Sequence, residues 1–206
     1  MVPSVEVVLA ELGTSPWLIV VVLVFCCVDA VFPMVPSDSF VTAAAVMALA
    51  SGASSGFVIL LTAAAALGGF SGDCLAYWLG SKVPAHRIPG LRSATGQAAY
   101  HRVQRAFIRR GSTLLLTGRF IPVGRIVVNV TAGATRFPLS RFFPVAAVAG
   151  VLWAGLAVLV GILASYLLPD STLLAMVIGV GLGMTFGLVI DWVVARLAGR
   201  NRSAQV

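Results

Sequence analysis

Apolar residues in this chain come in blocks, cut by proline, glycine or clustered charge rather than alternating with polar ones. Residues 17–31 form an apolar run stopped by Pro33 and Pro36, and residues 39–50 resume as a second short run. At about 1.5 Å per residue neither crosses the roughly 30 Å of a hydrocarbon core. The pattern therefore predicts a re-entrant hairpin over 17–50, with the two prolines at its tip. That tip must be buried in protein, because unpaired backbone does not face lipid. Residues 57–80 follow as one full apolar span, closed by Tyr77, Trp78 and Lys82 in the aromatic and cationic pattern of a membrane interface.

The second half repeats this order. Residues 112–135 are apolar but broken in the middle by Pro122 and Gly124, predicting a second re-entrant hairpin, and 142–168 and 172–195 read as two full spans. Between the halves, residues 82–110 carry Lys82, Arg87, Arg92, Arg102, Arg105, Arg109 and Arg110 and no acid. The excess of basic residues places this connection on the cytoplasmic side. Within it Tyr100, Val103 and Phe107 share one helical stripe and Arg102, Arg105 and Arg109 another, as in a helix lying along the membrane surface. Arg136 and Arg141 put the return of the second hairpin on the same side, and Arg196, Arg200 and Arg202 make residues 196–206 a cytoplasmic tail. Residues 1–16, with Glu6 and Glu11, are expected to form a short interfacial helix, too brief and acidic for a signal peptide.

The predicted fold class is thus an all-α polytopic membrane protein, a single domain over 1–206. A hairpin from each side, each followed by a span, makes an inverted repeat of the kind transporters use, with substrate near the midplane. Composition agrees: 59% of the 206 residues are hydrophobic and 10% charged. The net charge of +7 is spread between apolar segments as topology charge, without the basic domain and stacking aromatics of a nucleic-acid binder. Cys26, Cys27 and Cys74 lie in apolar runs without CxxC spacing, so neither a disulfide framework nor a metal site is expected, and no cofactor.

The informative chemistry is charge inside apolar runs. Arg119 and Arg125 sit in the otherwise uncharged stretch from Ser112 to Thr135, and intramembrane guanidiniums are costly unless they face a partner, a cavity or a ligand. They could snorkel to the interface, but six residues place them roughly 120° apart around a continuous helix. Asp29 and Asp38 flank the first hairpin's tip. The two hairpins are therefore complementary, acids on one and arginines on the other, and are expected to meet. Arginine's planar fork suits a phosphate. An arginine nearby favours an ionised aspartate and burial a neutral one, so a rearrangement between them moves a proton.

Plainer roles compete: Asp38 can cap the half-helix that begins at Ser39, Asp29 can be a structural partner of an arginine, and Asp73, in the glycine-rich stretch Gly68, Gly69, Gly72, can be a hydrogen-bonding group. Asp191 is expected at the interface. Asn129 and Thr131 are candidate headgroup contacts, although threonine commonly bonds back to its own helix. Gly179, Gly183 and Gly187 form a small-residue stripe suited to close helix packing or to a homodimer. Gly69-Phe70-Ser71-Gly72 matches the short nucleophile motif of intramembrane serine proteases, but the two histidines, His86 and His101, lie in the cytoplasmic basic stretch, away from any base role, so no enzyme activity is expected.

The stretch Gly118-Arg119-Phe120-Ile121-Pro122-Val123-Gly124-Arg125, followed by Ala132-Gly133, resembles the signature of DedA proteins, the bacterial branch of the VTT-domain superfamily. Pro36-Ser37-Asp38 is similar to that family's Pro-Gly-Asp/Glu element, with serine for the usual glycine, and Gly72-Asp73 with Tyr77 and Gly80 to its Gly-Asp-x-x-x-Tyr-x-x-Gly stretch. The resemblance covers nearly the whole chain. It implies a bacterial inner-membrane protein with two opposed re-entrant hairpins that recycles undecaprenyl phosphate or a related polyprenyl phosphate, linked to the proton motive force. On that basis Arg119 and Arg125 would bind phosphate and Asp29 and Asp38 would handle protons, with Asp29 matched less closely because the spacing between the acids is short. Asp73, Asn129 and Thr131 would support them. A proton-coupled exporter of small cations or osmolytes and a passive lipid scramblase are the alternatives.

Overall fold

The computed structural model describes residues 12–30, 32, 37–82, 94–119 and 122–167, with scattered positions between 174 and 185. Among these residues the chain is all helix: α1 (Pro16–Asp29), α2 (Ser37–Ala50), α3 (Ser55–Lys82), α4 (Ala94–Gly118), α5 (Pro122–Ala134) and α6 (Leu139–Leu167), with no strand. α3 and α6, of 28 and 29 residues, are long and apolar enough to cross a membrane. α1 and α2 have 14 residues each, about 21 Å of helix, and α5 has 13.

Local sequence sets these ends. Pro16 opens α1 at a position where its missing N–H costs nothing, and the Ser15 hydroxyl accepts from the Trp17 amide at 3.4 Å. α2 ends in a left-handed residue, Gly52 at φ 70°, with Ala53 N–H donating to Ala48 O at 2.9 Å and Gly52 N–H to Leu49 O at 3.0 Å. α5 ends the same way: Arg136 takes φ 53°, Phe137 N–H donates to Ala132 O at 2.9 Å and Arg136 N–H to Gly133 O at 3.0 Å. Both are Schellman closures that satisfy the last carbonyls and turn the chain into the next long helix.

Small residues let the helices approach backbone to backbone. Gly68 and Gly72 of α3 face the carbonyls of Leu23 and Cys27 of α1. Thr42 of α2 donates to Ala157 O of α6 at 3.2 Å, and Gly161 lies where a Cβ would come within 2.8 Å of Thr42 O. Arg125, Asn129 and Gly133 of α5 meet Gly69, Asp73 and Tyr77 of α3. In each pair the contacts advance in the same direction along both chains, so α1 and α5 run parallel to α3, and α2 runs parallel to α6. One apolar core, including Val22, Cys26, Val41, Leu61 and Val158, joins α1, α2, α3 and α6, and a second, including Phe107, Leu115, Phe137 and Phe142, joins α4 to α6. Val20, Val21 and Val24, Ile59, Leu60 and Leu67, and Val148, Val151 and Leu152 point outward, an apolar exterior suited to lipid.

The break expected between the basic segment and the second interrupted apolar stretch falls inside α4 at Arg110, which leaves helical geometry at φ −138° and ψ 24° and joins two helices across a kink. Phe107 is buried against Phe137, with ring centroids 5.9 Å apart, while Arg109 and Arg110 are exposed; the side chains of Tyr100, Arg102 and Val103 lie outside the described residues. The prolines Pro33 and Pro36, residues 1–11, the tail 196–206, Gly179, Gly183, Gly187 and Asp191 lie outside the described residues, as does most of the span expected over 172–195.

Close packing gives a direct stability prediction. A Cβ at Gly133 would collide with the Tyr77 carbonyl and lie 2.8 Å from Ser81 N, whereas at Gly155 it meets nothing within 4 Å. Gly133→Ala is expected to cost about 1–3 kcal/mol, read as a lower thermal midpoint in detergent, and Gly155→Ala to leave the midpoint unchanged or raised. Equal midpoints for the two variants would contradict the α3–α5 packing.

Candidate functional site: a buried arginine and aspartate cluster

The ends of the short helices converge on the middles of the long ones. α1 ends at Asp29 and α2 begins at Ser37; α4 ends at Gly118, next to Arg119, and α5 begins at Pro122. The first turns of α2 and α5 thus bring two positive helix-dipole ends towards one place. Pro122 serves as the opening residue of α5 and Gly124 lies in its first turn.

Asp73, mid-way along α3 and 2% exposed, is the centre. Its Oδ2 accepts from Arg119 Nη1, and its Oδ1 accepts from Arg125 Nε at 2.7 Å and from Asn129 Nδ2 at 2.8 Å. Arg125 is fully engaged: Nη1 donates to Asp29 Oδ2 at 3.2 Å and Nη2 to Gly69 O at 2.9 Å. Asp29 Oδ2 also accepts from the Ser37 hydroxyl at 2.6 Å. Asp29 sits at a helix C-terminus, an unfavourable place for negative charge that Arg125 offsets.

Arg119 differs. It is buried, and its Nε and Nη2 have no hydrogen-bond partner among the described residues. Buried guanidinium donors are normally satisfied, so this is where the cluster has capacity to spare. Glycine makes the room: a Cβ at Gly69 would run into Arg119 Nη2, and one at Gly150 would lie 3.6 Å from it. The indole of Trp153, on α6, covers both arginines, with its ring centre 5.3 Å from Arg119 Cζ and 5.8 Å from Arg125 Cζ. Its Nε1 donates to Asp38 Oδ1.

Of the expected pairings of Asp29 and Asp38 with Arg119 and Arg125, the Asp29–Arg125 ion pair is present. Asp38 does not take part in the ion pairs of Arg119 and Arg125; it lies in the first turn of α2, which begins at Ser37, two residues earlier than Ser39, and is linked to the arginines through Trp153. Asp73, expected only as a supporting group, holds both arginines at once. Asn129 joins it, whereas Thr131 makes none of the cluster's hydrogen bonds, being roughly 200° further around α5. Ser71 donates to Gly68 O of its own helix at 2.9 Å, an ordinary helical serine. Sequence reasoning missed Trp153, whose signal was a lone tryptophan in the middle of the aliphatic run 142–168, far from the interfacial positions tryptophan prefers.

The VTT domain model matches residues 35–163, more than half of the chain and all of the cluster except Asp29. The chain belongs to the VTT-domain family. Two similar proteins are Uncharacterized membrane protein Mb2670 of Mycobacterium bovis and Uncharacterized membrane protein Rv2637 of Mycobacterium tuberculosis, each 31% identical over 116 residues, covering 54% of this chain and 50% of theirs. The chain thus spans about half the length of the relatives it matches. No solved structure matches it. As a VTT protein it is a membrane protein, and its buried charge cluster lies between helices that present apolar faces outward.

Proposed function

We propose that this VTT-domain protein is a transporter that binds the phosphate headgroup of a polyprenyl phosphate at Arg119 and Arg125 and moves it across the bacterial cytoplasmic membrane, coupled to proton movement. The observation that carries this reading is the imbalance at Arg119. The carboxylate oxygens of Asp73 are filled by guanidinium and amide donors, while Nε and Nη2 of Arg119 have no partner among the described residues. The site lacks acceptors, not donors, so its natural ligand is an anion. That weighs against a small-cation exporter, which would have to compete with two fixed guanidiniums for the same acids.

Charge arithmetic links the proton. Arg119 and Arg125 are balanced by Asp29 and Asp73. A phosphate entering this neutral group brings excess negative charge unless a carboxylate takes up a proton. Asp73, with three donors, is the fixed partner; Asp29, holding Arg125 at 3.2 Å with a 14% exposed side chain, is the exchangeable one. A passive scramblase would need no such titration.

The architecture supports two opposed re-entrant hairpins, α1–α2 and the end of α4 with α5, related by an inverted repeat. α2 on α6 and α5 on α3 are corresponding pairs, both parallel, and both α2 and α5 close with the same left-handed turn. α1 and α2 are each too short to span the bilayer. The lipid tail would stay in the bilayer while the headgroup enters between the hairpins, and the basic connection supports a cytoplasmic C-terminus.

The test is binding of a short-chain polyprenyl phosphate to the purified protein, compared with the uncharged alcohol. Phosphate-dependent binding is expected, and Arg119→Lys should weaken it about tenfold although the charge is kept, because lysine lacks the planar fork. Equal binding of alcohol and phosphate, or unchanged binding by well-folded Arg119→Lys, would sink the reading.

A further inference from the structure

Among the described residues, Trp153 is the group that touches both arginines and Asp38. Its N–H is held by Asp38, an exposed residue in the first turn of α2, and its ring face lies over Arg119 and Arg125, which are buried. Trp153 as a whole is 6% exposed. It is fixed from behind, because α2 and α6 are locked one turn further on by Thr42 to Ala157 O and again at Gly161 against Ala45 and Thr42. A residue here that served packing alone would need neither the donor nor the ring. An indole that donates to a carboxylate becomes more electron-rich, and its face attracts cations more strongly. Charge on Asp38 can thus alter how firmly the two guanidiniums are held, without any ion pair between them.

We infer that Trp153 is a positioning residue of the arginine site, through which Asp38 acts on Arg119 and Arg125. The ring restrains the guanidiniums across its face, and Asp38 sets the strength of that restraint. Asp38 and Asp29 then have different work. Asp29 competes directly for Arg125, while Asp38 tunes the pair from α2 across to α6. The inference rests on the proposed headgroup binding for its ligand, but its geometry stands without a ligand.

Two readouts test it. With Trp17→Phe, Trp78→Phe and Trp192→Phe, Trp153 is the remaining tryptophan, and its emission in the ligand-free protein is expected to shift in wavelength or intensity on Asp38→Asn and on Arg119→Met. Emission indifferent to either substitution overturns the inference. In the otherwise native chain, Asp38→Asn and Trp153→Phe are each expected to weaken binding of a short-chain polyprenyl phosphate about threefold, and the double variant no further, since both cut one link. Effects that multiply to about ninefold overturn it, because Asp38 then acts independently of the indole. Should the phosphate bind no variant and not the native protein, the headgroup reading fails, and the emission shifts alone decide for or against the indole link.

Discussion

Asp73→Ala is expected to lower the stability of the folded protein by about 3–5 kcal/mol, the cost of leaving a buried charge without its partner. Asp73 is the carboxylate that holds both arginines: Arg119 through Oδ2, Arg125 and Asn129 through Oδ1. Arg125 keeps Asp29 and the Gly69 carbonyl when Asp73 is removed. Arg119 loses its hydrogen-bond acceptor among the described residues and stays within a site whose walls are glycine backbone and an indole. The loss should appear as a large drop in the unfolding midpoint in detergent. Its origin is checked by a second substitution: Asp73→Ala with Arg119→Met should recover a good part of the stability, because the pair is then replaced by apolar atoms instead of being broken. A fall below about 1 kcal/mol for Asp73→Ala, or no recovery in the double variant, would mean that water reaches these guanidiniums freely.

Much of this arrangement was legible in the chain because charge inside an apolar run has few explanations. The interruption at Pro122 and Gly124, the short runs either side of Pro33 and Pro36, and the isolation of Arg119 and Arg125 all pointed to broken helices carrying paired charge. The helices Pro16–Asp29, Ser37–Ala50 and Pro122–Ala134 fall where those breaks predict. The pairing itself was harder to read. Asp73 lies in the middle of a full-length helix, 46 residues from Arg119 and 52 from Arg125, and nothing in its local sequence distinguishes an organising acid from a helix-packing one. Its role follows from α5 lying parallel to α3, a tertiary relation set by Gly80 and Gly133. The role of Trp153 was hard to read for a similar reason: its mid-span position set it apart, but a tryptophan in an aliphatic span reads as core until its N–H and its ring are seen to serve different partners. The change from charged to apolar composition after Arg110 marked a real break, since Arg110 itself leaves helical geometry and α4 is two helices joined across that kink.

The exchangeable acid yields the sharpest functional expectation. Asp29→Asn removes the second carboxylate from Arg125 and leaves the cluster with one uncompensated positive charge when the native site is neutral. A unit charge about 5 Å away is worth about 3 kcal/mol at an effective dielectric near 20, roughly two decades of affinity. Asp29 is partly exposed, at 14% of its side chain, so a gain of about thirty- to a hundredfold in affinity for a short-chain polyprenyl phosphate is expected at alkaline pH. The gain must shrink as pH falls, because the native Asp29 becomes neutral there and resembles asparagine. Native binding therefore weakens as pH rises, with uptake of a proton on binding, and the variant loses that dependence. Taking the ratio of the two affinities at each pH removes the titration of the phosphate itself, whose second ionisation lies near pH ~6. A ratio that does not vary with pH would make Asp29 a fixed structural partner and put the proton on another group. A variant that binds more weakly than the native protein at every pH would mean that Asp29 orients Arg125 for the ligand, not that it competes with the ligand for Arg125. A ratio that opens with rising pH would tie the proton to this one contact between the two halves, where Asp29 at the end of α1 and the arriving phosphate are alternative partners for the same guanidinium.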